Sequence, residues 1–519
     1  MVARDAAGMT ATGATAATVG PRATVVIVGA GFSGTVLAVQ LLRLAAGRPL
    51  RIVLVNPTAA MGRGLAYGTR SALHLLNVPA GNMSALADEP DHFLAHARAA
   101  DPGVQAHSFL PRNLYGAYLE QLLAQHEQAL PASCVLERRV AEVMYLDPPA
   151  PAPTSTSASA SASAPPSRAR LRLSDGSQLE ADHVVLATGH LPPADPPAVA
   201  GAVSGAISGA MSGAMSGNPR YVSDPWSPGA LDRLPPGPVL LLGTGLTALD
   251  VTLSLHALTP ARPVLCLSRR GLLSAAHREQ RSLPPGADAA GAAAALAAGL
   301  AAGLGRGVRA DLRAVRLAVA RHVAAGGDWR DMIAALRPHT PAWWQRTPWP
   351  ERRRFVQRLQ PYWDTARHRC APVPHAVFAA ARAAGSVRVA GGRLVDLQEV
   401  SGGLQARWLP RGGGALQCRV YAGVVNCTGP STDLGRHGSP LVRQLLGAGW
   451  LSVDPLGLGL QVDAHGTVIG AQGHPTPGLH CLGPLLRARD WEATAVPELR
   501  VQAQHLAQRL WSEVGRRVG

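Results

Sequence analysis

Thr24-Val25-Val26-Ile27-Val28-Gly29-Ala30-Gly31-Phe32-Ser33-Gly34 carries an apolar run into a glycine turn, and an amphipathic run follows over residues 35–44. The order strand, Gly-x-Gly-x-x-Gly, helix has a physical reading. Gly29 permits the tight turn, and Gly31 leaves no side chain between the backbone and a diphosphate. Gly34 lets the helix pack on its strand, and the N–H groups at the helix start face the anion. The arrangement occurs again. Residues 238–242 lead into Gly243-Thr244-Gly245-Leu246-Thr247-Ala248, with Gly243, Gly245 and Ala248 in the three places and an amphipathic run over 249–258. Two such turns in one chain imply that electrons pass from one dinucleotide to another.

The residue closing the second strand of each unit separates the ligands. The strand expected at 51–55 ends in Asn56, where an acid would take a ribose hydroxyl pair. Asn56 still accepts a hydrogen bond, without charge assistance. The strand expected at 263–267 is followed by Ser268-Arg269-Arg270-Gly271. Two planar guanidiniums suit a 2′-phosphate, so Arg269 and Arg270 point to NADPH in preference to NADH. The competing reading is a solvated surface pair.

Composition narrows the classes. The 519 residues give room for two or three domains. The net charge is +16, but every basic residue is arginine and the arginines are scattered, so a nucleic-acid partner is not expected. The densest cluster, Glu351-Arg352-Arg353-Arg354, reads as a solvated helix face. With no lysine, Schiff-base chemistry at a lysine amine is excluded. Cys134, Cys266, Cys370, Cys418, Cys427 and Cys481 form no C-x-x-C pair, and since most lie in apolar strand contexts the default reading is buried structural thiols. His474 and His480 look isolated, and no metal is expected. Residues 1–22 lack the apolar segment of a secretory signal and read as a loose tail. Residues 289–305 are nearly all Ala and Gly and supply too little transfer energy for a membrane span. The chain is expected to be cytoplasmic, with no membrane partner. Its oligomeric state is not legible.

The fold class expected is α/β, with two Rossmann-like dinucleotide-binding domains. Residues 23–198 form the first part of one domain, with a Pro/Ser/Ala insertion at 149–168. Residues 170–173 and 178–180 flank a hairpin turn at Asp175-Gly176, and a strand at 183–186 leads to Thr188 and Gly189. A low-complexity linker covers 199–218. The second domain runs over 219–420 with a Trp/Arg-rich helical insert at about 288–384. Its closing strand, 423–425, ends in Asn426-Cys427-Thr428-Gly429 and is expected to return to the first sheet. Residues 421–519 complete the first domain, with a strand at 478–483 and a helix at 497–510.

Further motifs carry a family resemblance. They are Gly62-Arg63-Gly64-Leu65-Ala66-Tyr67, Leu75-Leu76-Asn77-Val78-Pro79-Ala80-Gly81-Asn82-Met83-Ser84 and Pro111-Arg112-Asn113-Leu114-Tyr115-Gly116. Trp363-Asp364 with Arg367-His368-Arg369, and Ala493-Thr494-Ala495-Val496-Pro497-Glu498-Leu499-Arg500, complete the set. The chain resembles the bacterial FAD/NAD(P)-binding proteins of the YdhS type, which include flavin-dependent urate hydroxylases and aspartate N-monooxygenases. The resemblance covers nearly the whole chain outside the low-complexity segments and the Ala-rich run. It implies a discontinuous FAD domain with an NADPH domain inserted. Gly29, Gly31, Phe32, Ser33 and Gly34 would hold FAD pyrophosphate, with Asn56 at the ribose. Asn77, Met83 and Ser84 would pass along the isoalloxazine, and Thr188 and Gly189 would lie near it. Gly483, Thr494, Ala495 and Pro497 would approach the ring.

The activity this implies is NADPH-driven oxygenation of a small polar nitrogen compound by O2, through a flavin hydroperoxide. The substrate would be a urate-like heterocycle, an amine or an amino acid. The cofactor carries the hard step, so no catalytic side chain is singled out. A reductase passing electrons to a quinone or protein acceptor is one alternative, and a non-catalytic flavin redox sensor is another.

Overall fold

Ala23–Val28 (β1) is buried at every residue, as a strand apolar on both faces must be in a parallel sheet covered by helices. β2 (Leu50–Asn56) and β3 (Cys134–Val140) extend the sheet in parallel on one side. The chain then forms an antiparallel meander of β4 (Val143–Asp147), β5 (Ala169–Leu173) and β6 (Gln178–Ala181). It returns as β7 (His183–Leu186), parallel to β1 on its other side. The computed structural model describes residues 22–45, 49–149, 168–199, 215, 217–279 and 289–518. The expected N-terminal tail and most of both low-complexity segments lie outside the described residues.

A second sheet follows. Its strands are β8 (Tyr221–Val222), β9 (Val239–Leu242), β10 (Val264–Ser268), β11 (Val387–Val400), β12 (Gly403–Pro410), β13 (Gln417–Tyr421) and β14 (Gly423–Asn426). β11 is long. Its first residues pair in parallel with β10, and beyond Gly391 it turns into an antiparallel meander with β12 and β13. β14 departs from expectation. It does not return to the first sheet but lies between β9 and β8, with Val424 opposite Leu240. All its residues are buried, which a central strand provides. A boundary at residue 421 therefore cuts the second sheet. The return comes later, with β15 (Thr467–Ile469) and β16 (Pro475–Cys481), where β16 runs parallel to β7.

The helical insert is observed between β10 and β11. Its Ala-rich first helix, Ala289–Ala301, packs Ala293 and Ala297 against Met332 and Leu336. Among the described residues no helix is long and apolar enough to cross a membrane. The last helix, Val496–Val518, lies on the Phe32–Leu44 helix. It buries Ala503, Leu506, Ala507 and Leu510, and the two alanines allow close approach.

Candidate functional site

Strand register builds the first turn. Val28 pairs with Leu186, so Gly29 lies beside Ala187. Gly29 has φ +105°, and a Cβ there would fall 2.4 Å from the Ala187 carbonyl oxygen. A Cβ on Gly34 would fall 1.9 Å from the Gly29 oxygen. Packing thus requires glycine at both. Gly31 is different, because its Cβ would meet only Gly64 Cα at 3.6 Å, an ordinary contact. What its missing side chain leaves is open space before the helix. The Phe32–Leu44 helix has no side-chain cap, so its first N–H groups stay available to an anion.

The second turn repeats the construction. Leu242 pairs with Asn426, and a Cβ on Gly243 (φ +130°) would fall 2.2 Å from the Cys427 carbonyl oxygen. Nothing lies within 4 Å of a Cβ on Gly245. Ala248 is buried in the core beneath, and the Leu246–Leu258 helix is likewise uncapped.

A cavity of about 740 Å³ runs from the first turn to Leu246 and Thr247 at the start of the second helix, while Gly245 and Ala248 border a separate small pocket with Leu273 and Phe378. Gly29, Gly31, Phe32, Ser33 and Asn56 line the cavity from the first, and Leu246 and Thr247 from the second. Asn77, Thr188, Gly189 and Thr494 also line it. Thr188 Oγ1 is buried without a hydrogen-bond partner. Asn56 braces the turn it borders. Its Oδ1 accepts from the Ala30 N–H at 3.1 Å, and its Nδ2 donates to the Thr58 carbonyl at 2.8 Å.

The opposite wall joins two residues of a quoted motif, Asp364 and His368, to three that no motif singled out, Arg487, Trp491 and Glu492. Asp364 and His368 come from the helical insert, and Arg487, Trp491 and Glu492 from the segment after β16. Arg367 Nη2 donates to Glu492 Oε2 at 2.7 Å, with both side chains buried. Glu492 Oε1, Asp364 Oδ1 and Arg487 Nε are buried without hydrogen-bond partners. Burial raises the Asp364 carboxyl above its ordinary value. Burial, then Arg367 and Arg487, push His368 down to about 3, so its ring is neutral. A wall with orphaned acceptors and an orphaned donor calls for a ligand offering both.

The remaining expected residues lie elsewhere. Met83 is core, and Ser84 Oγ donates to the Glu89 carbonyl at 2.6 Å, so neither reaches the cavity wall. Gly483 (φ +103°) packs on Ser33, where a Cβ would sit 3.0 Å from Oγ. Ala495 and Pro497 flank the start of the last helix but do not line the cavity. Arg269 is exposed. Arg270 lies over the Tyr362 ring at 5.9 Å, and Arg411 reaches the Tyr362 hydroxyl at 3.5 Å. Arg411 thus joins the arginine pair, a placement that only the β11–β12 meander reveals.

Contacts between the two units hold the cavity's shape. Arg112 pairs with the buried Asp250 at 2.8 Å, and His74 Nε2 meets Ser254 Oγ at 2.9 Å. His277 Nε2 donates to the Asn77 carbonyl at 3.0 Å.

Residues 26–191 match the model of an FAD-NAD(P)-binding family. No curated protein matches the chain. Among solved structures, the ornithine hydroxylase of Pseudomonas aeruginosa is similar at 17% identity and a TM-score of 0.56, covering 95% of this chain and 99% of that one. L-Lysine 6-monooxygenase from Pseudomonas syringae gives 16% and 0.59, with 96% and 100% covered. The ornithine N-hydroxylase of Kutzneria sp. 744, with reduced FAD, NADP+ and L-ornithine, gives 15% and 0.59 over 96% and 100%. At such identities the likeness is one of fold, and it spans both sheets and the helical insert.

Proposed function

We propose that this chain is an FAD- and NADPH-dependent monooxygenase of the YdhS type that hydroxylates a small amine-type substrate with O2. The observation that carries the reading is the cavity that reaches from the first glycine turn to Leu246 and Thr247 of the second motif, since a hydride donor and its acceptor must meet in one chamber. The first turn fits FAD. Gly31 leaves room for pyrophosphate at an uncapped helix start, and Thr188 Oγ1 is an orphaned buried hydroxyl at the same wall. The second turn fits NADPH. Gly245 opens onto free space, and Arg269, Arg270 and Arg411 would hold the 2′-phosphate.

When bound, FAD supplies hydride acceptance and oxygen activation. The chain's own residues do the rest. Asp364 Oδ1 and Glu492 Oε1 would accept hydrogen bonds from the substrate ammonium, and Arg487 would hold its acidic or carbonyl end. Asp364, made a better base by burial, takes the ammonium proton and frees the amine lone pair. These acceptors favour an amine or amino acid over a urate-like heterocycle. The similar folds of ornithine-, lysine- and cadaverine-hydroxylating enzymes support the same class.

The test is NADPH consumption by flavin-loaded protein across a panel of amines and amino acids, with mass-spectrometric detection of hydroxylated product. Product formed in step with NADPH use supports the proposal. Fast quinone reduction with no oxygenated product from any amine would replace it with a reductase. NADPH that never bleaches the flavin anaerobically would remove the enzyme reading.

A further inference from the structure

His183 and His480 are 297 positions apart, and neither stands out in the sequence. Sheet register brings them together. β7 and β16 pair in parallel with Val185 opposite His480, so His183, two residues before Val185, shares the His480 face. The C-terminal helix brings Glu513 to the same place. His183 Nδ1 lies 3.3 Å from His480 Nε2 and 3.7 Å from Glu513 Oε2. The three ligand atoms all lie within 4.8 Å of one another, and both imidazoles are buried. The isolation expected of His480 is therefore a property of the sequence and not of the fold.

A second observation concerns the rim of this cluster. Thr467 pairs directly with His480 across the β15–β16 ladder, which puts their side chains on one face. Thr467 Oγ1 is buried and has no hydrogen-bond partner. Arg509 Nε donates to Glu513 Oε1 at 2.8 Å. One carboxylate oxygen is held by the guanidinium, and the other is turned to His183.

We propose that His183, His480 and Glu513 form a site for one divalent ion of the zinc type, pinning the C-terminal helix to the first sheet. Zinc takes imidazole nitrogen and carboxylate oxygen at about 2.0–2.2 Å in a tetrahedron, which sets its ligands roughly 3.3–3.6 Å apart. The separation of 3.3 Å falls in that range and that of 3.7 Å lies just beyond it. Two nitrogens and an oxygen are a donor set that borderline metals prefer over magnesium or calcium. Arg509 acts as the outer partner that orients the carboxylate, and Thr467 Oγ1 offers a further oxygen on the same face. The site has a structural place. It lies at the start of β7, whereas the cavity lies past the end of that strand, at Thr188 and Gly189.

The test uses tag-free, flavin-loaded full chain stripped with a chelator and then titrated with Zn2+, with Co2+ as a spectroscopic probe. The expected result is one ion per chain, tetrahedral Co2+ absorption and a higher melting temperature with Zn2+. His480→Asn and Glu513→Gln should each weaken binding about tenfold or more. The Glu513 side chain is partly exposed on a helix surface, so Glu513→Gln folds and decides the matter even if His480→Asn does not. Absence of a stoichiometric ion overturns the proposal, as does wild-type Zn2+ affinity in Glu513→Gln with flavin content unchanged.

Discussion

Arg367 and Glu492 form a buried ion pair, Nη2 to Oε2 at 2.7 Å, that ties the helical insert to the segment leading into the C-terminal helix. Removing one partner strands a charge in the interior, at a cost of about 3–5 kcal/mol. Arg367→Met should lower unfolding free energy by roughly that amount in denaturant titration. The double variant Arg367→Met/Glu492→Met should recover most of the loss, because no uncompensated charge remains. A double variant no more stable than the single one would show that the pair is not the unit.

The glycines of each turn should separate folding from binding. A Cβ on Gly34 falls 1.9 Å from a backbone oxygen, so Gly34→Ala should destabilise by at least about 1–3 kcal/mol. Gly31 and Gly245 have extended backbone and room for a methyl group. Gly31→Ala and Gly245→Ala should melt within about 1 kcal/mol of the parent. Under the proposed function, the first should lose flavin on gel filtration, and the second should keep flavin but be reduced slowly by NADPH. Unchanged flavin content and reduction rate in these variants would count against both sites.

These outcomes bear on what could be read in the chain alone. Both turns were legible, because a glycine turn between strand and helix is a local demand on the backbone. The opposite wall was legible only in part. Asp364 and His368 stood in a quoted motif with no role attached, and only packing of the insert on the C-terminal segment brings Glu492 beside them. β14 was assigned to the wrong sheet for a related reason. A buried strand ending in Thr-Gly looks the same whichever neighbour it takes, and only register distinguishes Val239 from Val25 as a partner. Met83 and Ser84 show the converse, since a motif's outline located Asn77 at the cavity but put two core residues there as well.

Asn56 invites the substitution that the expected pattern favours, Asn56→Asp. Its Nδ2 donates to the Thr58 carbonyl at 2.8 Å, and a carboxylate would set two oxygens against each other. The variant should lose about 1 kcal/mol of stability, one hydrogen bond's worth, with no gain in flavin retention. Thermal melts with flavin release measured in parallel would detect the opposite outcome.

Acid should destabilise the fold through two partly buried histidines. Burial, then Arg369, lower His277 from 6.5 to about 4, and His368 falls to about 3. Both rings are neutral in the folded chain, while the unfolded chain takes up protons near pH 6.5. The stability they contribute is complete above that pH and declines as pH falls from 6.5 toward 4. Melting temperature should follow this course. His277→Gln, which retains a donor for the Asn77 carbonyl, should flatten the slope, and an unaltered slope would exclude His277 as a source.

The passage of the chain from the first sheet into the second and back sets an order on its synthesis. Everything from Tyr221 to Asn426 needed for the second sheet leaves the ribosome before β16, the strand that covers the open edge of β7. The half bearing the Gly243 turn can close while the half bearing the Gly29 turn still lacks an edge strand and a covering helix. Completion of the first sheet is therefore the later event. A nascent chain arrested before residue 475 would hold every strand of the second sheet, while the first sheet would end at an uncovered β7 edge.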